Sequence, residues 1–188
     1  MSILKVARMG HPVLRARAKP IDPADIKSPR LQQLIDDMFE TMQEYQGVGL
    51  AAPQIHHGIR LFVAGFAPRR DDDEDDDERG GVPLMALINP EITVVGGDLV
   101  DDWEGCLSIP DVRGRVTRAR DIEVKAYDRK GRRVQMNARG FTARVIQHET
   151  DHLDGVLFLD RMESLETLTF LDEFGRYWNA RDRDVPEE

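Results

Sequence analysis

"QHETDHLDG", residues 147–155, sets two histidines four positions apart with a glutamate beside the first. On an α-helix, positions i and i+4 share a face about 5–6 Å apart, so His148 and His152 can turn their imidazoles onto one cation. Glu149 then stands next to the first ligand, where its carboxylate reaches a bound water without binding the ion. This is the H-E-x-x-H arrangement of hydrolytic metal sites, which also need a third protein ligand and an open position for water. The bland alternative is a half-exposed helix surface that happens to be polar. Upstream, Phe141, Arg144, Val145 and His148 follow the i, i+3, i+4, i+7 spacing of one face. Phe141 and Val145 are therefore expected to wall an apolar pocket beside the ion. The helix is expected from about Thr142 to Gly155.

Around that helix the sequence reads as α+β. Residues 28–45 form a helix pattern, with Ser28 as cap, Pro29 in the first turn and Gly47 as stop. Leu31, Leu34, Ile35, Met38, Phe39, Met42 and Tyr45 make its apolar face. Residues 59–66 read as a strand, and residues 83–100 as further strand with turns at Asn89-Pro90 and Gly96-Gly97. Residues 121–138 alternate apolar and polar on both sides of "DRKG", the signature of a hairpin. The tail, 164–188, reads as a short helix and a loose acidic end.

At 188 residues the chain fits a single domain spanning 1–188, with enough apolar residues for a core. No apolar run is long enough to span a bilayer, and the N-terminus does not read as a signal peptide. The lone cysteine, Cys106, excludes an intramolecular disulfide and suits a reducing cytoplasm. Net charge is −9, but residues 71–78, "DDDEDDDE", carry eight of the 35 acids. The remainder is close to neutral, so no direct nucleic-acid binding is expected. Residues 71–80 read as an acidic, disordered loop insertion.

Two further stretches stand out. "EGCLSIP" (104–110) places Cys106 beside a glycine in a Pro-limited loop. On its own, Cys106 is as readily a small buried hydrophobe as a soft metal ligand. "GVGLAAPQI" (47–55) suits a loop lying tight against a ligand, or simply a helix end and turn.

Taken together, Gly47–Gln54, Glu104–Ser108 and Gln147–His152 resemble the three ordered motifs of the peptide deformylases. These enzymes remove the N-formyl group from the initiating methionine of new proteins. The resemblance extends over most of residues 3–163, and "NARGFTARVIQHE" is similar to the organellar-type branch. It implies antiparallel β-sheets packed around a central H-E-x-x-H helix, plus an N-terminal helix. It implies that Cys106, His148 and His152 hold one divalent ion, Fe²⁺ physiologically, with Zn²⁺, Ni²⁺ or Co²⁺ able to substitute. Hydroxide on that ion would attack the formyl carbon, with Glu149 moving protons. Gln54 and the N–H of Leu107 would bind the formyl oxygen. Gly49 and Arg113 would contact the substrate, with Val48, Phe141 and Val145 around its side chain. Partners would be N-formylmethionyl nascent peptides and the ribosome presenting them, with no membrane.

Two departures from the family pattern are the acidic run and a tail that lacks the basic ribosome-docking helix of some members. The motif's Thr150 is polar where a hydrophobic residue is usual. Asp151 beside it and Arg118, twelve residues beyond Cys106 in the segment linking the two motifs, are expected to pair and fix the helix against "EGCLSIP". The competing reading is a zinc metallopeptidase, whose third ligand usually lies downstream. No histidine follows His152, and Cys106 lies upstream.

Overall fold

The computed structural model describes residues 2–66 and 82–178. The acidic run and the tail beyond Trp178 lie outside the described residues.

Helix α1 (Pro29–Glu44) buries Leu31, Ile35, Met38 and Met42, the face that the spacing predicts. Its ends differ in detail from expectation. Ser28 offers its carbonyl, accepting from the Gln32 N–H at 3.1 Å, and makes no side-chain cap bond. At the other end Gln46, not Gly47, takes the left-handed conformation (φ 54°). Gly47 N–H then closes on Met42 O at 2.8 Å, satisfying a carbonyl that the helix end leaves open.

Strands β1 (Gly49–Ala51), β2 (Leu61–Phe66), β3 (Val82–Cys106), β4 (Ile109–Tyr127) and β5 (Arg133–Arg139) pair in that order, each antiparallel to the next. A short β6 (Thr169–Phe170) adds to the start of β4. The "DRKG" turn forms as predicted, with Asp128 accepting from the N–H groups of Lys130 and Arg132 at 2.9 Å each.

The two turns expected inside 83–100 do not break the strand. β3 runs through both, and its register with β4 shifts between Ile88 and Glu91 and again between Val95 and Leu99. Asn89 (φ 52°) and Gly96 (φ 75°) do take left-handed backbone. With β4 continuing alongside, that conformation makes a bulge and not a reversal.

β2 explains how the layers stack. Side chains alternate across a strand. Leu61 and Val63 enter the cluster with Ile35, Met38 and Met42 of α1, while Phe62 and Ala64 enter the cluster with helix α2 (Gly140–Leu153). A strand covered on both faces reads as a continuous apolar run. Fully buried Phe62 contributes on the order of 1.5–3 kcal/mol. Helix α2 starts two residues before Thr142, at Gly140, and is central as expected, touching β1 to β5. The predicted tail helix is α3 (Leu171–Tyr177).

Candidate active site

β3 and β4 meet in a two-residue hairpin: Cys106 pairs with Ile109, leaving Leu107 and Ser108 as the turn. This replaces the loop expected at 104–110. "GVGLAAPQI" is likewise more ordered than expected, as strand β1 followed by a 3₁₀ turn at Ala52–Ile55. The N-terminal segment laces these pieces to α2. Ala7 N–H donates to Gln54 O (2.7 Å), Met9 N–H to Ser108 O (2.8 Å) and Ala18 N–H to Leu153 O (2.8 Å).

Cys106, His148 and His152 each bring one ligand atom to within 4.8 Å of the others. Cys106 Sγ lies 3.2 Å from His152 Nε2. His148 Nδ1 is held 2.9 Å from Glu104 Oε2, which leaves Nε2 for the centre. A tetrahedral ion with bonds of about 2.3 Å to sulfur and about 2.0–2.1 Å to nitrogen needs donors roughly 3–4 Å apart. The thiolate-plus-two-imidazole donor set suits a borderline-soft divalent ion, and the Cys106–His152 separation of 3.2 Å already falls in that range.

The electrostatics agree. Burial pushes the Cys106 thiol up, but the His152 and His148 imidazoles outweigh it, so the thiol is held well below its ordinary value. Burial alone would lower His148, yet its contacts with Cys106 and Glu104 raise it well above normal. Glu149 goes the other way. Burial raises it to about 7 despite the neighbouring His148 and His152. Its Oε2 is buried without a hydrogen-bond partner, so nothing stabilises its charge there. Gly49 lies against this carboxylate so closely that a Cβ would overlap it.

Gln54 is fixed from both ends of its amide. Its Oε1 accepts from Ala51 N–H (2.8 Å), and its Nε2 faces Ser108 Oγ (3.2 Å) and Cys106 Sγ (3.5 Å). Val48, Phe141 and Val145 share one apolar cluster, with Phe66 edge-on to Phe141 at 5.8 Å. Arg113 lies along Gly105, one residue from Cys106. Arg144 does not follow its helical face into the pocket. It donates to Val116 O and Val100 O (2.7 Å each) and to Glu104 Oε1 (2.9 Å), bolting α2 to β3 and β4. Spacing fixes where the Cα sits, not where so long a side chain ends.

In the sequence Glu104 stands out only as the first residue of the E-G-C segment. It is buried and accepts from Arg118 through both oxygens (2.9 Å each), from Arg144 and from His148. Burial raises its carboxyl, but the Arg118 and His148 hydrogen bonds prevail and hold it well below the usual carboxylate range. The available signal was an acid two residues before Cys106 with arginines on the following strand. Arg118 also reaches Asp151 Oδ2 at 2.5 Å, the pairing suggested by their places beside the two motifs. Arg161 grips the same carboxylate with two hydrogen bonds (3.1 and 2.7 Å). Gln147 likewise has a role that helix spacing does not reveal: its amide bonds both N–H and C=O of Ala119 on β4.

Residues 3–168 match the family described as polypeptide deformylase. Among curated proteins, peptide deformylase 2 of Bordetella bronchiseptica is 47% identical over 160 residues, covering 85% of this chain and 88% of that one. The chloroplastic/mitochondrial peptide deformylase 1A of Arabidopsis thaliana is 39% identical, over 84% of this chain and 61% of its own. Among solved structures, the Met-Ala-Ser-bound class I type b peptide deformylase of Acinetobacter baumannii superposes with a TM-score of 0.78 at 36% identity. It covers 86% of this chain and 99% of that one.

Proposed function

The chain belongs to the polypeptide deformylase family, and from that premise we propose that it removes the N-formyl group from the initiator methionine of newly synthesised polypeptides, releasing formate. The observation that carries this reading is the convergence of Cys106, His148 and His152, with the buried carboxylate of Glu149 beside them. In this reading the three residues hold one divalent ion, Fe(II) physiologically, with Zn(II), Ni(II) or Co(II) as substitutes. When bound, the ion supplies a Lewis acid that makes water nucleophilic near neutral pH.

The remaining work falls to the chain. Glu149, with a pKa near 7, takes a proton from the attacking water and later hands it to the departing amine. As the water oxygen joins the formyl carbon, negative charge grows on the formyl oxygen. Gln54 Nε2 and the Leu107 N–H donate to it. One such donor is typically worth on the order of 10²–10³ in rate. The C–N bond then breaks, leaving formate and a free N-terminus.

Specificity follows from the walls. Val48, Phe141 and Val145 take the unbranched methionine side chain. Gly49 bonds an extended peptide backbone, which adds as a strand beside β1; among the described strands β1 has one neighbour, β2. Arg113 binds peptide groups beyond the methionine. The natural partners are formylmethionyl nascent chains on the ribosome, and the site of action is the cytoplasm. Among the described residues no helix is long and apolar enough to cross a membrane.

The test is anaerobic purification with metal analysis, followed by formate release from formyl-Met-Ala-Ser. Release with stoichiometric metal, and no turnover of the acetylated or unformylated peptide, is the expected result. Cleavage of internal peptide bonds would favour the metallopeptidase instead.

A further inference from the structure

The family match ends at residue 168, and the next nine residues fold onto the hairpin that carries Cys106. β6 pairs Thr169 with Arg113 and Phe170 with Val112. Just before it, Thr167 Oγ1 accepts from Arg115 N–H at 3.1 Å. Behind it, α3 turns Phe174 edge-on to buried Trp103 of β3, with ring centroids 4.8 Å apart, and Trp178 lies 5.3 Å from the same indole. The segment is thus seated by hydrogen bonds on one side and aromatic packing on the other.

Its position has a consequence for one side chain. The guanidinium carbon of Arg113 sits over the Phe174 ring, 5.3 Å from its centroid. The stem of Arg113 runs along Gly105, where a Cβ would stand 3.6 Å from its Cγ. Among the described residues no carboxylate forms an ion pair with Arg113. An arginine over a ring is held through its cationic face, and its in-plane N–H donors stay available. A carboxylate partner would have consumed those donors.

We propose that the C-terminal segment Thr169–Tyr177 is a specificity element, in which Phe174 positions the Arg113 guanidinium to bind carbonyl or carboxylate groups of the peptide beyond the formylmethionine. The proposal builds on the reading of Arg113 as a substrate contact. Phe174 touches no reacting atom and acts through Arg113. Without the ring, Arg113 regains rotamer freedom that binding must then remove.

The experiment is steady-state deformylation by the metal-loaded full chain. The substrates are formyl-Met-Ala-Ser and formyl-methionine amide, which has no residues beyond the methionine. Phe174→Leu keeps apolar packing on Trp103 and removes the ring. It should raise KM for the tripeptide about two- to five-fold, the size of an exposed to partly desolvated cation–π contact, with kcat within about two-fold. Phe174→Tyr restores the ring and should restore KM. Formyl-methionine amide should not distinguish these variants. In an Arg113→Ala background, Phe174→Leu should add nothing. An unchanged KM in Phe174→Leu alongside a raised KM in Arg113→Ala overturns the positioning role alone. Wild-type kinetics in Arg113→Ala overturn the substrate-contact reading and this proposal with it. An equal KM rise on the amide, or additive losses in the double variant, would reduce Phe174 to a structural residue and also overturn the proposal.

Discussion

Replacing Glu104 by glutamine tests how the site is held. The substitution keeps the shape but removes the charge and turns one acceptor oxygen into a donor. Neither oxygen can be spared. Oε1 accepts from Arg118 Nε and Arg144 Nη1, and Oε2 from Arg118 Nη2 and His148 Nδ1. An amide NH₂ at either place meets an arginine donor. At the Oε2 place it also donates to His148 Nδ1, moving the imidazole proton to the nitrogen that should bind the ion. Removing one member of a buried charge network costs about 3–5 kcal/mol, a large share of a total stability of about 5–15 kcal/mol. Loss of the group orienting a ligand histidine costs about 10–100-fold in metal affinity. The assays are urea unfolding of the metal-free protein and competition with a chelator of known affinity. The pH dependence has a definite sign. The folded carboxyl of Glu104 titrates below its unfolded value of 4.5. Its stabilisation is therefore complete above that value and is lost as pH falls through the folded pKa. The gap between wild type and Glu104→Gln should be full near pH 7 and close only in acid. A variant within about 0.5 kcal/mol of wild type, binding metal equally well, would refute the reasoning.

Cys106→Ala, His148→Ala and His152→Ala should each weaken metal binding and abolish most activity; a variant retaining stoichiometric metal by elemental analysis would remove that residue from the ligand set. Glu149→Gln should keep its metal while kcat falls by about 10²–10⁴, and turnover within a few-fold of wild type would end its role in proton transfer. Gly49→Ala should lower kcat/KM without loss of metal, because the new methyl displaces the Glu149 carboxylate; wild-type kinetics would show that the carboxylate tolerates the shift.

The sequence made some of this legible and hid the rest for physical reasons. His148 and His152 could be read together because four residues of helix place them on one face whatever the rest of the chain does. Cys106 could not be joined to them by spacing. It arrives through a hairpin whose register depends on β4, and only the motif resemblance brought it in. Glu104 was hidden because its partners lie 14, 40 and 44 residues away. The turns expected at Asn89-Pro90 and Gly96-Gly97 are bulges instead: Asn89 and Gly96 take left-handed backbone, yet the strand runs on. Local sequence specifies φ, while the neighbouring strand decides whether the chain turns back. Arg118 and Asp151 were paired correctly because each neighbours a motif that must meet the other.

The lacing by Ala7, Met9 and Ala18 has an evolutionary consequence. Each of these residues donates a main-chain N–H, and their acceptors, Gln54, Ser108 and Leu153, belong to or adjoin the three motifs. Such bonds do not depend on which side chain is attached, except that proline cannot donate. Exposed Arg8 and Met9 are therefore free to drift among chemically unrelated residues. Length is not free. Deleting one residue between Ala7 and Met9 would pull Gln54 and Ser108 out of step while leaving every proposed catalytic side chain in the gene. This stretch should diverge quickly in composition and hardly at all in residue count.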